Sequence, residues 1–297
     1  MTLAMEVFPD HFQRQLNQTR DYLLETLSPE QVENWLSLAC PAIELQAIGM
    51  NSPANSPIVA RIGGRPHLPA DIPWPRSARG VALNFLMQID LGVLATSVRE
   101  GLSHGLKLPE SGLLLVFSLT SQSGEVDLDW RDPEIIQGTR LIYVPEGTAT
   151  PPQQTARGAW LFPIKEFTAT GVMTLPTVAH PIFRNALGLG GRDSALMRDM
   201  FGQIDRGLQF QIDGPFPRHR IGGWSTPQPG YAEQEYHRVW AGDEPQENWQ
   251  SLLQIDWEPA FGRVFQGQNS TPGMIHWVTD TTCLSALDRT GFVIQHG

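Results

Sequence analysis

Apolar and polar positions change period several times along this chain, and each change marks an element. From Pro9 to Ala39, Phe12, Leu16, Tyr22, Leu23 and Leu27 recur at about 3.6-residue spacing with polar residues between, which predicts helix. Ser28-Pro29-Glu30-Gln31 interrupts it with an N-cap, a proline at the first helical position and a capping-box glutamine. A second helix therefore starts there, carries Val32, Trp35, Leu36 and Leu38, and stops before Pro41. The period then drops to two. Ile43, Leu45 and Ala47 alternate with Glu44 and Gln46, and Ala42–Ile48 reads as a strand.

Short strands follow at Ile58–Ile62, Val81–Leu91, Leu113–Leu119, Val126–Trp130 and Thr139–Val144. Between the first two, Pro66, Pro69, Pro73 and Pro75 surround Trp74, and this density of proline forbids both helix and central strand. The segment is expected to lie extended across the core with Trp74 as its anchor. Leu94–Leu102 reads as a short helix, and residues 147–156, rich in Thr, Pro and Gln, as an exposed loop or linker. Trp160–Leu175 reads as mixed strand and loop. His180–Leu187 and Ala195–Ile204 read as helices around a glycine-rich break, and Leu284–Ile294 as a short helix and strand.

One pattern occurs twice. Arg61-Ile62-Gly63-Gly64 leads to Leu86-Met87-Gln88-Ile89-Asp90 and then to Gly112 with an apolar run. Arg220-Ile221-Gly222-Gly223 leads to Leu252-Leu253-Gln254-Ile255-Asp256 and then to Gly273 with another. The tripeptide Gln-Ile-Asp means little alone, since it also stands at 203–205 and 211–213 without that context. The ordered set is the signal. Two copies about 160 residues apart predict a duplicated pseudo-dimer, not a solenoid. The expected fold is α+β: an N-terminal helical extension (1–40), a first β-rich half (41–175) and a second half with a helical insertion (176–297), packed as one unit.

The order Ile62-Gly63-Gly64, Pro66, Leu68-Pro69, Trp74-Pro75, Phe85-Leu86, Gln88-Ile89-Asp90-Leu91, Leu108-Pro109, Gly112-Leu113 resembles the YwqG-like family of bacterial proteins of unknown function. Gly222-Gly223, Leu253-Gln254-Ile255-Asp256 and Gly273-Met274-Ile275 resemble its second half. The resemblance covers roughly residues 41 to 295 and implies an α+β fold with an internal duplication. It implies no activity and no catalytic residues.

Composition narrows the partners. A net charge of −10 without a Lys/Arg run disfavours nucleic acid. Acidic residues crowd Tyr231–Ala260 (Glu233, Glu235, Asp243, Glu244, Glu247, Asp256, Glu258), which reads as a solvated loop or as a docking face for a basic protein. Cys40 and Cys283 form no CxxC, no apolar stretch approaches membrane-spanning length, and the N-terminus has no signal-peptide pattern. A cytoplasmic protein with no membrane contact is expected; oligomeric state is left open.

Chemistry is sparse. The eight histidines include no HExxH, the Asp127–Asp132 stretch lacks the glycine and glutamate of a calcium loop, and no nucleophile elbow occurs, so neither metal nor cofactor is expected. Gly188-Leu189-Gly190-Gly191 reads as a helix–helix turn, since it lacks phosphate-loop spacing. The candidate ligand-binding residues are Arg61, Trp74, Gln88, Asp90, His219, Arg220, Trp224, Gln254 and Asp256. In one reading Asp90 pairs with Arg61 and Asp256 with Arg220, while the glutamines satisfy loop backbone under the Gly-Gly turns. In the other these groups converge in a cleft between the halves. The sequence favours a non-enzymatic binding protein, for a protein partner or a small polar ligand, with an immunity-type role as one form. The alternative is a hydrolase using Asp90 and Asp256 as a carboxylate pair.

Overall fold

The computed structural model describes residues 10–49, 55–98, 106–120, 131, 138–177, 180–188, 219–227, 230–256 and 273–296. Ten strands form one sheet in which every adjacent pair is antiparallel. They are β1 (Cys40–Ala47), β2 (Ala60–Ile62), β3 (Asn84–Asp90), β4 (Leu113–Ser118), β5 (Thr139–Val144), β6 (Lys165–Thr174), β7 (His219–Gly222), β8 (Trp249–Ile255), β9 (Gly273–Asp280) and β10 (Thr290–His296). Their order is β10-β9-β8-β7-β1-β6-β2-β3-β4-β5. With five α-helices among the described residues, the fold is β-rich and within the α+β expectation. The helices are α1 (Asp10–Leu24), α2 (Pro29–Leu36), α3 (Leu91–Ser97), α4 (Pro181–Ala186) and α5 (Ala232–Tyr236).

The central pairings are not sequential. β1 pairs with β6 on one side and with β7 on the other, and β6 pairs with β2. Outward from this pair, β2-β3-β4-β5 and β7-β8-β9-β10 run in the same order on opposite flanks. Their registers match as well. Arg61 faces Gln88 and Arg220 faces Gln254, while β3/β4 is bulged between Phe85 and Met87 and β8/β9 between Ser251 and Leu253. A bulge re-aims the strand after it, so the same residue offset bends both flanks.

A shared apolar core runs along one face of the sheet, from Leu86, Ile89 and Val116 on one flank through Ile43 and Leu45 to Leu253, Ile275, Trp277 and Phe292 on the other. A second cluster joins α1 and α2 to Met173 of β6 and Phe183 of α4. A third holds Leu68, Leu83, Phe85, Leu115 and Phe117 with Trp74 against it. Burying each large side chain contributes roughly 1.5–3 kcal/mol.

The sequence expectations fare unevenly. The Ser28 capping box forms, with the Gln31 amide donating to Ser28 Oγ at 3.3 Å and the Ser28 amide to Gln31 Oε1 at 3.1 Å. The proline-rich segment forms neither helix nor strand but is interrupted by a turn in which the Ile72 amide donates to the Pro69 carbonyl, and Trp74 packs edge-on to Phe117 and donates to the Leu83 carbonyl at 2.8 Å. Lys165–Thr174, expected as a mixture, is a ten-residue strand. The helix expected at 94–102 starts earlier because Asp90 caps it. The acidic stretch read as a loop contains α5, and the helix expected from Leu284 is a run of turns before β10. The strand expected at 126–130 and the helix expected at 195–204 lie outside the described residues.

Candidate functional site

Both Arg-Ile-Gly-Gly copies end their strand in two left-handed glycines, with φ of 67° and 70° at Gly63 and Gly64 and 73° and 72° at Gly222 and Gly223. Side chains other than glycine rarely adopt this conformation. Each turn carries the chain under the next strand, where a glutamine holds it: Gln88 Oε1 accepts from the His67 amide at 3.2 Å and Gln254 Oε1 from the Thr226 amide at 2.8 Å. The glutamines therefore satisfy loop backbone, as the scaffold reading expects.

Asp90 behaves otherwise. Asp90 caps α3 by accepting from the Val93 amide at 2.9 Å, and it does not pair with Arg61. Arg61 donates to the Arg65 carbonyl at 2.7 Å and stands opposite Glu166 in the sheet. The expected Arg61–Asp90 pair fails because Asp90, at the end of β3, is used by the helix that begins there. In the other flank Arg220 donates to Thr226 Oγ1 at 2.6 Å, and the Asp256 amide donates to His219 Nδ1 at 3.2 Å. Arg220 and Gln254 thus meet at Thr226, while His219, on the other face of β7, packs edge-on to Phe167 and reaches only the Asp256 backbone; Arg61, Gln88, Asp90 and Trp74 belong to the opposite flank. Four strands (β7, β1, β6 and β2) stand between β3 and β8, so the sheet does not set Asp90 and Asp256 side by side.

The second glycine turn opens onto a cavity of about 410 Å³. Its walls include Cys40, His180, Gly223, Trp224, Glu233, Trp249 and Gln250, with Gln246 and Glu247 as well. Gly223 is obligatory here for a second reason: a Cβ on it would lie 2.5 Å from Thr174 Oγ1 and 2.7 Å from Ala42 Cβ. That close approach lets the Trp224 amide donate to Thr174 Oγ1 at 2.9 Å and the Trp224 indole to the Leu38 carbonyl at 2.8 Å. His180 packs edge-on between Trp224 and Tyr231, with ring centroids 4.8 and 4.6 Å away.

Among the described wall residues Glu233 is the buried carboxyl group, 4% exposed at the start of α5. The Ser225 hydroxyl donates to its Oε2 at 2.6 Å, and the Ala232 amide donates to Ser225 Oγ at 3.1 Å. Burial holds the Glu233 carboxyl above the usual carboxylate range, against the pull of the Ser225 hydroxyl and of Arg220. Burial, with Glu233 adding to it, pushes the Cys40 thiol up to about 11, so it is no nucleophile at neutral pH. Burial holds His180 down to about 4, leaving it neutral. Among the described residues no three of His, Cys, Asp and Glu cluster to hold a metal ion.

Of the sequence candidates only Trp224 lines this cavity. Glu233, His180 and Cys40 were missed. The signal for Glu233 was an acidic residue directly after Tyr231-Ala232, both apolar enough to be buried, in a stretch otherwise read by its charge. That stretch is no uniform acidic face. Glu233 and Asp256 are buried, and Glu244 binds Arg289 at 3.0 and 2.6 Å.

No helix among the described residues is long and apolar enough to cross a membrane. No curated protein matches the chain. A family model does, over residues 60–277, from the strand bearing the first Arg-Ile-Gly-Gly to the strand after the second Gln-Ile-Asp, and by that span the chain belongs to the family described as Domain of unknown function (DUF1963).

Proposed function

We propose that this is a non-enzymatic binding protein that takes a small polar ligand in the cavity beside Trp224. One observation carries the reading: a cavity of about 410 Å³, walled by Trp224, Trp249 and His180, contains a buried carboxyl group at Glu233. Small-molecule sites combine these features, an apolar and aromatic wall with a few placed polar groups in about 300–1,000 Å³. The protein-partner form of the reading has less support, because Glu233 and Asp256 are buried and Glu244 is paired, which leaves Asp243 and Glu247 as the exposed acids described in that stretch. A carboxylate-pair hydrolase has less still, with four strands between Asp90 and Asp256. The test is native mass spectrometry and metabolite profiling of protein purified from its own host. A small molecule that travels with the wild type and is lost from Trp224→Ala supports the reading; identical metabolite profiles in the two would sink it.

We further infer a YwqG-like, internally duplicated protein working in the cytoplasm, where its two unbonded cysteines suit a reducing setting. The duplication is supported by the matched order, register and bulges of the two flanks. It is also supported by what surrounds the central pair. Arg61 faces Glu166 and Arg220 faces Glu44; a Cβ on Gly63 would press on the Pro163 carbonyl, while one on Gly222 would lie 3.9 Å from the Pro41 carbonyl. Each half then lends its first strand to the other, β1 to β7 and β6 to β2, which favours a boundary ahead of Lys165 instead of near residue 175. An immunity-type role stays open to a pull-down of the same purified protein, in which a stoichiometric protein partner is the supporting result.

A further inference from the structure

One side of the cavity is chain that the core does not hold. Gln246 and Glu247 stand in the wall, and they belong to the segment 242–248, which joins the turn after α5 to β8. Every residue from 242 to 248 is exposed or half-buried, whereas Ala241 before it and Trp249 after it are buried. Segments with few buried contacts are the ones that open locally. This one begins at Gly242, where φ is 61° and an added Cβ would meet nothing within 4 Å. Directly before it, His237–Ala241 form a wide π-type turn that interrupts the regular helical ladder. Glycine takes up new backbone angles at little steric cost, so the segment starts at a hinge.

A clasp from the β9–β10 hairpin holds it down. Arg289 grips the Glu244 carboxylate with both ends of its guanidinium, Nη2 to Oε1 at 2.6 Å and Nη1 to Oε2 at 3.0 Å. The same Nη1 donates to Asp280 Oδ2 at 2.9 Å. Asp280 is 4% exposed and also accepts from the Thr282 amide at 2.9 Å and the Thr282 hydroxyl at 2.6 Å, which fixes this end of the clasp to the sheet. The guanidinium lies over the ring of Trp249, a wall residue, at 5.0 Å from its centroid. Single exposed ion pairs contribute little, but a bidentate grip shared with a second carboxylate is a network. Backbone bonds secure the segment nearby: the His237 ring donates to the Glu244 carbonyl, and the Thr281 amide to the Asn248 carbonyl at 2.8 Å.

We propose that residues 242–248 are a strap that gates the cavity, with the Arg289–Glu244 clasp as its latch. The gate rests on the binding function proposed for the cavity. A ligand passes when Glu244 releases Arg289 and the rim at Gln246 and Glu247 swings away about Gly242, while Asp280 keeps Arg289 in place over Trp249. Both partners of the latch are partly exposed, so salt weakens it.

Cys40 reports on access without any ligand, because it lines the cavity and is half-buried. In a Cys283→Ser background it is the single thiol of the chain. The uncharged reagent N-ethylmaleimide, applied to the full chain at a fixed pH, labels it at a rate read by mass spectrometry. Glu244→Gln should speed labelling by about three- to tenfold, and Arg289→Lys, which keeps the charge but loses the fork, by less. Raising NaCl from about 0.05 M to about 1 M should speed labelling with the latch intact and not in Glu244→Gln. Hydrogen exchange on the same proteins separates a moving strap from a loosened fold: amides between 243 and 248 should exchange faster in Glu244→Gln while those of β1 keep their protection. Unchanged labelling overturns the inference. So does faster labelling in which the strap amides do not change, or in which β1 loosens as well. Neither readout needs the ligand, so a failed latch leaves the binding reading standing, and identical metabolite profiles in the Trp224→Ala comparison would sink that reading without altering the labelling result.

Discussion

Gly223→Ala is the sharpest single perturbation, because one added methyl group tests the repeated turn and the cavity together. Two costs are separable. At φ +72° an L-residue sits in the left-handed region, worth roughly 1–2 kcal/mol. The new Cβ would also lie 2.5 Å from Thr174 Oγ1 and 2.7 Å from Ala42 Cβ, on two strands of the central sheet, and forcing a methyl group into a packed site costs roughly 1–3 kcal/mol. The expected total is about 2–5 kcal/mol. Gly80→Ala supplies the control, since Gly80 has φ +79° with nothing within 4 Å of its added Cβ, so only the backbone cost of about 1–2 kcal/mol remains. Urea unfolding followed by tryptophan fluorescence compares the two; at a slope of about 1–3 kcal/mol/M, a 3 kcal/mol loss moves the midpoint by about 1 M or more. Relieving the clash displaces Thr174 as well as Ala42, and Thr174 accepts from the Trp224 amide and donates to the Cys40 carbonyl at 2.8 Å. Gly223→Ala should therefore also weaken ligand binding, which Gly80→Ala leaves intact. Equal stability losses in the two variants would refute the claim that close approach to β1 and β6, and not φ alone, keeps glycine at this position.

Other outcomes follow from the same geometry. Gln254→Ala should cost about 1–3 kcal/mol by stranding the buried Thr226 amide, and Gln88→Ala less, since its 3.2 Å bond lies in a half-buried site; thermal melts compare them. Asp90→Ala should cost about 1 kcal/mol as a lost helix cap and should be additive with Arg61→Ala in a double-mutant cycle, where coupling would restore the ion pair. Burial, helped by Arg220, holds His276 down to about 3, so the unfolded chain takes up its proton near 6.5 before the folded one does. Stability from this group is present above about pH 6.5 and is lost as pH falls toward 3, and His276→Leu should flatten that acid limb of a pH–stability curve. Residues 1–150 and 151–297 made as separate chains should co-purify and each aggregate alone, because β1 pairs with β7 and β6 with β2; two independently soluble halves would count against the exchanged-strand reading.

Strands with alternating or unbroken apolar runs were legible, because a period of two is local information. The capping box at Ser28 and the anchoring of Trp74 were legible for the same reason: each is written in a few adjacent residues. β6 was not, since Lys165–Thr174 mixes Thr, Gly and Ala and becomes a strand only because β1 and β2 pair along it. The function of Asp90 was misread for a related reason. Its repeat position suggested a cross-strand partner, but the deciding neighbour was Val93, three residues on. Charge misled at Glu233, where a run of acids predicts solvent and the packing of Tyr231 and Ala232 instead carries the first turn of α5 inward.

The two flanks explain why the cavity belongs to one of them. Where Gln88 faces Leu115, Gln254 faces His276; where Phe85 faces Phe117, Ser251 faces Val278. On the first flank that face is filled by Leu83, Phe85, Leu115 and Phe117 beneath the proline-rich segment, so the matching space is an apolar core. On the second it is floored by Ser251, His276 and Gln254 and covered by α5, which carries Glu233. Ser251 Oγ is buried without a partner among the described residues, and the His276 imidazole is wholly buried beside the Gln295 carboxamide. Such groups cost stability and give nothing to packing. If the two flanks descend from one sequence, the first has kept its inner face for cohesion, and the second has given up apolar contacts for a polar interior beside a cavity. That exchange is what a binding site requires of a fold that otherwise holds itself together twice, and it is why the proposed site is sought on the second flank, at the turn after Arg220.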